Sequence, residues 1–411
     1  MPLQIQPGQW VALALFLTIA PQVHAADWEG VFEGTLGKSK VIVELNAGAD
    51  ASDYKGGFAD GSRYSYYPKL YDLNLVLDGG GSGAPLAFTE TTARHMEVPD
   101  LPPGDPKITG RWSISVDGKG ATGTWASPDG KKKLPISLRR VPLMAADKLP
   151  PQNSQLSATY NGLWFRSVSF EPTEKTAAFG GILMTYMKDS AFGQEVPVFS
   201  RFPDGTRMEK ANAVLMDYYK QSLMGYRDCV NGVPADWRSD KLEVEYQFEA
   251  KYASPAAVSI EESGSVFCGG AHPSNYATPL TFDLETMTQI GGTYGLDLSP
   301  DGFGHVLKLA NKEERAVFES FALDRWNAAA SAAGDSGEDS CAGQSFLDSQ
   351  PPGEREFSLS FLPDGLAVRR TDFPHVASNC LFEDYNPTVI PWADLKPWLR
   401  PGQTLLTSEM K

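Results

Sequence analysis

The residues of this 411-residue chain whose types and spacing bear most directly on chemistry are four cysteines and one short turn. The cysteines are Cys229, Cys268, Cys341 and Cys380, and the turn is Phe267-Cys268-Gly269-Gly270-Ala271-His272-Pro273. An even cysteine count in an exported chain reads as two disulfides, with three connectivities open to it. Sequential pairing, Cys229 to Cys268 and Cys341 to Cys380, closes two loops of 39 positions each. Each such closure stabilises by about 4 kcal/mol in the chain-entropy account. No C-x-x-C pair occurs, so neither a structural zinc site nor a thioredoxin-type redox motif is supported.

Gly269 and Gly270 mark a backbone path that needs positive φ or the close approach of another chain, and Pro273 fixes the exit after His272. Two readings of that turn stand side by side. It is an exposed rim where backbone and imidazole meet a ligand, or a turn whose histidine hydrogen-bonds the adjacent sheet. Gly269, Gly270 and His272 are the candidate ligand-binding residues.

Enzymatic constellations are thin. The chain has five histidines, of which His24 falls in the leader, and it holds no H-E-x-x-H, no G-x-S-x-G and no Gly-rich phosphate loop. Ser82 sits in Gly-Gly-Ser-Gly, but in a loop and with Ala84 where an elbow needs a second glycine. The pairs Glu261-Glu262 and Glu313-Glu314 are candidates for glycoside hydrolysis, yet adjacent acids point to different faces of a strand or helix. The Asp-Gly pairs read as turns, not calcium loops. No catalytic residue, metal or cofactor is assigned.

The elements that must position the turn belong to an exported chain. An apolar run of 11 residues, Trp10 to Ala20, precedes the small-residue site Val23-His24-Ala25, the order of a cleavable signal peptide. That run is too short to span a bilayer, which needs about 20 residues. The expected location is periplasmic or secreted, with no integral membrane segment after cleavage. The net charge is -15. Residues 26 to 142 hold 15 acidic and 14 basic side chains, against 36 and 22 in residues 143 to 411, so the acidity belongs to the second part. A domain of that charge repels nucleic acid and would steer a cationic partner toward itself.

Length predicts more than one domain. From Trp28 to Val141, period-two runs (KVIVEL, DLNLVL, RWSISV) separated by Asp-Gly turns predict seven or eight strands, an all-β small barrel or sandwich. Residues 142–157, with Pro150-Pro151, read as a linker. Beyond it, Met208, Ala211, Leu215 and Tyr218 predict a helix over Thr206 to Asp228, and Phe318, Ala322 and Trp326 a second over Asn311 to Ala330. Strand candidates lie between and after them at 242–252, 257–262, 278–284, 356–362 and 366–369. The second part, 158–411, is thus expected to be α+β, with an antiparallel sheet and two main helices.

Gly269 to His272, the strand start Phe282-Asp283-Leu284 and the helix entry Ile390-Pro391 through Leu395-Lys396 carry a resemblance. Together, over about half the chain, Val196 to Leu399, they resemble the extracellular domain of RsiV-type anti-sigma factors, also found in PdaC-type polysaccharide deacetylases. That family binds lysozyme, so the resemblance implies binding of a protein or cell-wall ligand, such as a lysozyme-like cationic enzyme or a peptidoglycan fragment. The chain lacks the sigma-binding region and membrane helix of an anti-sigma factor, and the deacetylase domain with its metal-binding histidines, so neither activity carries over. The rival reading is a peptidoglycan hydrolase with an unrecognised carboxylate site. Export predicts a mature N-terminus at Ala26. Intact-mass measurement of the exported protein should show residues 1–25 removed, and their retention would remove the export argument.

Overall fold

The computed structural model describes residues 27–47, 61–67, 69, 71–79, 84–92, 107–145, 155–232, 244–267, 274–291, 303–309, 311–332, 357–370 and 388–401. The first eight strands are β1 (Gly30–Leu36), β2 (Ser39–Leu45), β3 (Ser62–Tyr66), β4 (Leu73–Gly79), β5 (Leu86–Thr92), β6 (Ile108–Val116), β7 (Gly120–Ala126) and β8 (Lys133–Val141). They form a closed antiparallel barrel in meander order, β1 pairing with β8 from Val31↔Val141 to Leu36↔Ile136. The barrel alternative is therefore the one adopted. Closure removes the free edges that an eight-stranded open sheet would expose.

Alternation places Phe32, Val41, Val43, Tyr64, Phe88, Trp112, Ile114 and Leu138 inside, all buried, so the barrel is filled by its own side chains. One carboxylate belongs to this interior. Glu90 accepts the indole N–H of Trp112 and of Trp125, each at 2.7 Å, on one oxygen, and the Thr109 hydroxyl at 2.7 Å on the other. Trp125 reaches it by lying over Gly110, where an added Cβ would stand 2.1 Å from the indole nitrogen. Trp28 meets Phe88 edge-on at 6.2 Å and so packs against the barrel interior.

Helix α1 (Gln155–Arg166) begins inside the stretch read as a linker. Tyr160, Leu163 and Trp164 lie over Val31 and Ile42, which face outward from β1 and β2, so an apolar stripe on the barrel's exterior is covered by the helix. A buried charge cluster completes this joint. Asp72 accepts hydrogen bonds from the Tyr160 hydroxyl (2.8 Å), from Arg63 (3.3 Å) and from Arg227 of the next helix, α2 (Gly205–Gly232). Asn231 joins it twice, its amide oxygen accepting the Asp72 N–H at 2.8 Å and its Nδ2 donating to the carboxylate at 3.2 Å. Arg63 also donates to Glu44 at 2.9 Å, and Ser157 to the same carboxylate at 3.0 Å. The Arg227 guanidinium, fully buried, lies 4.6 Å from the centre of the Trp164 ring.

The second part holds three sheets. Strands β9 (Phe170–Phe179), β10 (Ile182–Asp189) and β11 (Glu195–Arg201) form the first, in order β11-β10-β9. Strands β12 (Val244–Ala253), β13 (Ala257–Val266), β14 (Ser274–Asp283) and β15 (Thr288–Gly291) form the second, in sequence order. Strands β16 (Phe357–Leu362), β17 (Gly365–Arg370) and β18 (Thr388–Pro391) form the third. Helix α2 buries Ala211, Leu215, Tyr219 and Leu223 against the first two sheets. Helix α3 (Lys312–Ala332) sets Phe318, Ala322 and Leu323 against the core face of the third, and α4 (Trp392–Leu395) closes that core with Leu395. The α+β class is as expected, with β9–β11, β15, β18 and the helix α1 added to the elements read from sequence. Among the described residues, no helix is long and apolar enough to cross a membrane.

Removing Asp72 leaves two buried guanidinium groups facing one another without their shared counter-charge. Breaking one partner of a buried pair costs about 3–5 kcal/mol, so Asp72→Ala should lower the unfolding free energy by that amount in denaturant titration. A loss below ~1 kcal/mol, the scale of surface pairs, would show the cluster to be solvated.

Candidate functional site

The β13–β14 hairpin carries the turn singled out in the sequence. Its ladder runs from Ala257↔Asp283 to Val266↔Ser274, so residues 267–273 connect the two strands at its end. Gly269, Gly270, His272 and Cys268 lie in that connection, outside the described residues, as do Cys341 and Cys380. Cys229, near the end of α2, is disulfide-bonded, to a partner that also lies outside them.

Successive residues of a strand face opposite ways, and Glu261 and Glu262 show it. Glu262 faces α2. It accepts the hydroxyls of Tyr218 at 2.7 Å and Ser222 at 3.0 Å on one oxygen, and that of Tyr226 at 2.8 Å on the other, with Tyr276 of β14 at 3.4 Å. Tyr218, Ser222 and Tyr226 recur at four-residue spacing, the period that stacks side chains along one helix face. Burial raises the Glu262 carboxyl above the ordinary carboxylate range, and the hydroxyls of Tyr218 and Ser222 hold it partly down. Tyr226 stacks on Tyr246, with ring centres 3.8 Å apart. The strands come close here, since a Cβ on Gly264 would stand 2.1 Å from the Glu245 carbonyl oxygen of β12.

Glu261 faces the third sheet. Arg369 of β17 donates to it at 2.9 Å, and Lys251 of β12 lies 3.3 Å from its other oxygen. Beside it, the buried Ser259 and Thr281 hydroxyls are bonded at 2.8 Å, and Ser259 also accepts the Phe361 N–H of β16 at 3.0 Å. These polar contacts border an apolar core in which Tyr252 and Ala257 of the second sheet meet Phe361 of the third. Because the two glutamates are on opposite sides of one strand, they cannot flank a single scissile bond, which answers the glycosidase pairing raised for them. Glu313 and Glu314 lie in the first turn of α3, where Asn311 accepts the Glu314 N–H at 2.8 Å as the cap. Among the described residues no group of acidic, histidine or cysteine side chains is arranged to hold a metal.

Sequence reasoning missed the ligands of Glu262 and Glu261, although the Tyr218-Ser222-Tyr226 spacing was a usable signal. No signal nearby marks Arg369, which is 108 positions from Glu261.

No family model matches the chain, and no curated protein matches it. Two solved structures are similar. A member of the DUF3298 family from Bacteroides fragilis NCTC 9343 is 12% identical, with 59% of this chain and 96% of that chain covered and a TM-score of 0.32. A DUF3298 family protein from Pseudomonas aeruginosa PAO1 is 15% identical, with 57% and 94% covered and a TM-score of 0.26. At these TM-scores neither likeness bears on function.

Glu262 gives a test by pH. Its folded-state pKa is raised, so the folded chain holds the proton more tightly than the unfolded chain, and stability is lost as pH rises through the folded value. Glu262→Gln removes that titration while keeping the shape. The stability of the wild type relative to this variant should therefore fall as pH rises from the ordinary carboxylate range toward neutrality. Glu262→Ala, which strands four hydroxyls, should cost about 2–4 kcal/mol at all pH values. A pH-independent difference between wild type and Glu262→Gln would contradict the raised pKa.

Proposed function

We propose that this chain is an exported envelope protein that binds a protein or cell-wall ligand, with a lysozyme-like cationic enzyme as the sharpest candidate partner. The RsiV-type resemblance of Gly269 to His272 and the -14 balance of residues 143 to 411 both favour this reading. The observation that carries it is the way the β13–β14 hairpin is held from both faces, by the hydroxyls around Glu262 and by Arg369 and Lys251 at Glu261. Strands fixed in this way need no ordering when a partner binds beside them, which limits the cost of association.

The disulfide pairing fits the same arrangement. Along α2, Tyr219 packs on Phe248, opposite Glu262, and Tyr226 on Tyr246, opposite Gly264. The helix thus advances toward the 267–273 end of the hairpin as its numbering rises. Cys229 follows one turn after Tyr226, and in this reading Cys268 is its partner, with Cys341 and Cys380 forming the second bond.

Binding is favoured over hydrolysis because three buried carboxylates of the barrel, the joint and the hairpin are each engaged by several donors. Asp72, Glu90 and Glu262 each accept three or more donors, which occupies most of the roughly four acceptor positions of a carboxylate. The mature chain should retain a basic lysozyme at low salt, with an on-rate that falls steeply as salt rises. His272→Ala should weaken binding about tenfold or more with unchanged stability if the turn is at the interface, the scale of one lost charge-assisted contact. No affinity for any lysozyme class at low salt would refute the proposal, and release of soluble fragments from peptidoglycan by the purified chain would favour the hydrolase.

A further inference from the structure

The barrel is nearly neutral as a whole, with 15 acidic and 14 basic side chains between residues 26 and 142, yet six lysines gather in the described turns at one of its ends. The β1–β2 turn and the β7–β8 turn lie at the same end. Leu36 pairs with both Ser39 and Ile136, and the Gly37 N–H donates to the Pro135 carbonyl at 2.8 Å. Lys38 and Lys40 flank the first turn, and Lys131, Lys132 and Lys133 leave the second. Lys107 enters β6 at this end too, its carbonyl accepting the Thr92 N–H at 3.0 Å. All six lysines are exposed.

The one described carboxylate within these turns is Asp129, 3.4 Å from Lys131, with both side chains largely in water at 55% and 85% exposure. An exposed pair of that kind is strongly screened and offsets little of the cluster. The β7–β8 turn is also pinned. Asp129 accepts the Ser127 hydroxyl at 2.6 Å and the Lys131 N–H at 3.1 Å, and Ser127 accepts the Lys132 N–H at 3.0 Å. Next to Lys107, Ile108 is 46% exposed, an uncovered apolar side chain among the cations.

We propose that this end of the barrel is a docking surface for an anionic phospholipid bilayer, on which the chain rests peripherally. This goes beyond ligand binding by the second part and does not depend on it. Clustered lysines of this number are drawn to anionic headgroups, their aliphatic stems lie along the interface, and an exposed isoleucine enters the acyl boundary. The net charge of -15 does not oppose this. Screening limits each charge to a reach of about 8–10 Å, so a bilayer senses the lysines at the contact and not the sum over the molecule.

The test is sedimentation of the mature full-length chain with phosphatidylcholine vesicles, with and without phosphatidylglycerol. The chain should sediment with the phosphatidylglycerol vesicles at low salt and not with phosphatidylcholine alone, and binding should fall about tenfold or more as salt reaches ~0.5 M. Reversing the three turn lysines together (K131E, K132E, K133E) should abolish binding, with circular dichroism confirming an intact fold. Lys119→Glu, in the β6–β7 turn at the opposite end, should leave it unchanged. Absence of binding at low salt, equal binding by the triple variant, or capture by soluble polyphosphate without any by vesicles would each overturn the proposal.

Discussion

Asp72 is the constraint on which the rest of the structure depends. It sits at the start of a barrel strand, yet its carboxylate is shared by Arg63 of the barrel, Tyr160 of α1 and Arg227 of α2. Two guanidinium groups and a carboxylate removed from water carry a desolvation cost that further hydrogen bonds must offset. Glu44, Asn161, Asn231 and Ser157 supply further partners, while the buried Arg227 Nε has none among the described residues. Burial alone would lower the Arg63 pKa, and the flanking Glu44 and Asp72 carboxylates reverse that, so the net direction is upward. The apolar covering of Val31 and Ile42 by Tyr160, Leu163 and Trp164 contributes burial but little direction. The charge cluster supplies the direction, because its hydrogen bonds are directional and join the barrel to both α1 and α2.

From that joint α2 runs out over the sheets, and its hydroxyl stripe fixes the hairpin. One strand serves two layers because its side chains alternate: Val258, Ile260 and Glu262 face the helix, while Ser259 and Glu261 face the third sheet. The helix side is aromatic and anchored at one carboxylate, and the sheet side joins polar contacts at Ser259 and Glu261 to an apolar core at Ala257. A hairpin clamped between layers of such different character has little freedom of register, since a one-residue slip would put Glu261 among the tyrosines.

Much of the fold was legible because period dominates in it. The barrel strands, α2 and α3 each repeat their buried positions at the spacing of their own structure, and α2 extends from Gly205 to Gly232 around the predicted 206–228. Helix α1 was not legible. Its stripe of Leu156, Tyr160, Leu163 and Trp164 is short, follows Pro150-Pro151, and is completed only by residues on the outside of the barrel. Strands β9 to β11 were also unread, since β9 is largely exposed and its Glu171-Pro172 and Glu174-Lys175 give it the polar look of an edge. The candidate site was legible as a turn but not as a mechanism of holding. Asp72 and Arg227 are 155 positions apart, and Glu261 and Arg369 are 108, distances over which no local pattern speaks.

The central claim is that the buried cluster makes the barrel and the helices α1 and α2 one cooperative body. Native-state hydrogen exchange in increasing denaturant tests it most directly, by following the slowest amides of β1 to β3 and of α2 in one experiment. The account predicts that both sets open with the same free energy and the same dependence on denaturant. Barrel amides that open together while those of α2 remain protected, or the reverse, would contradict it.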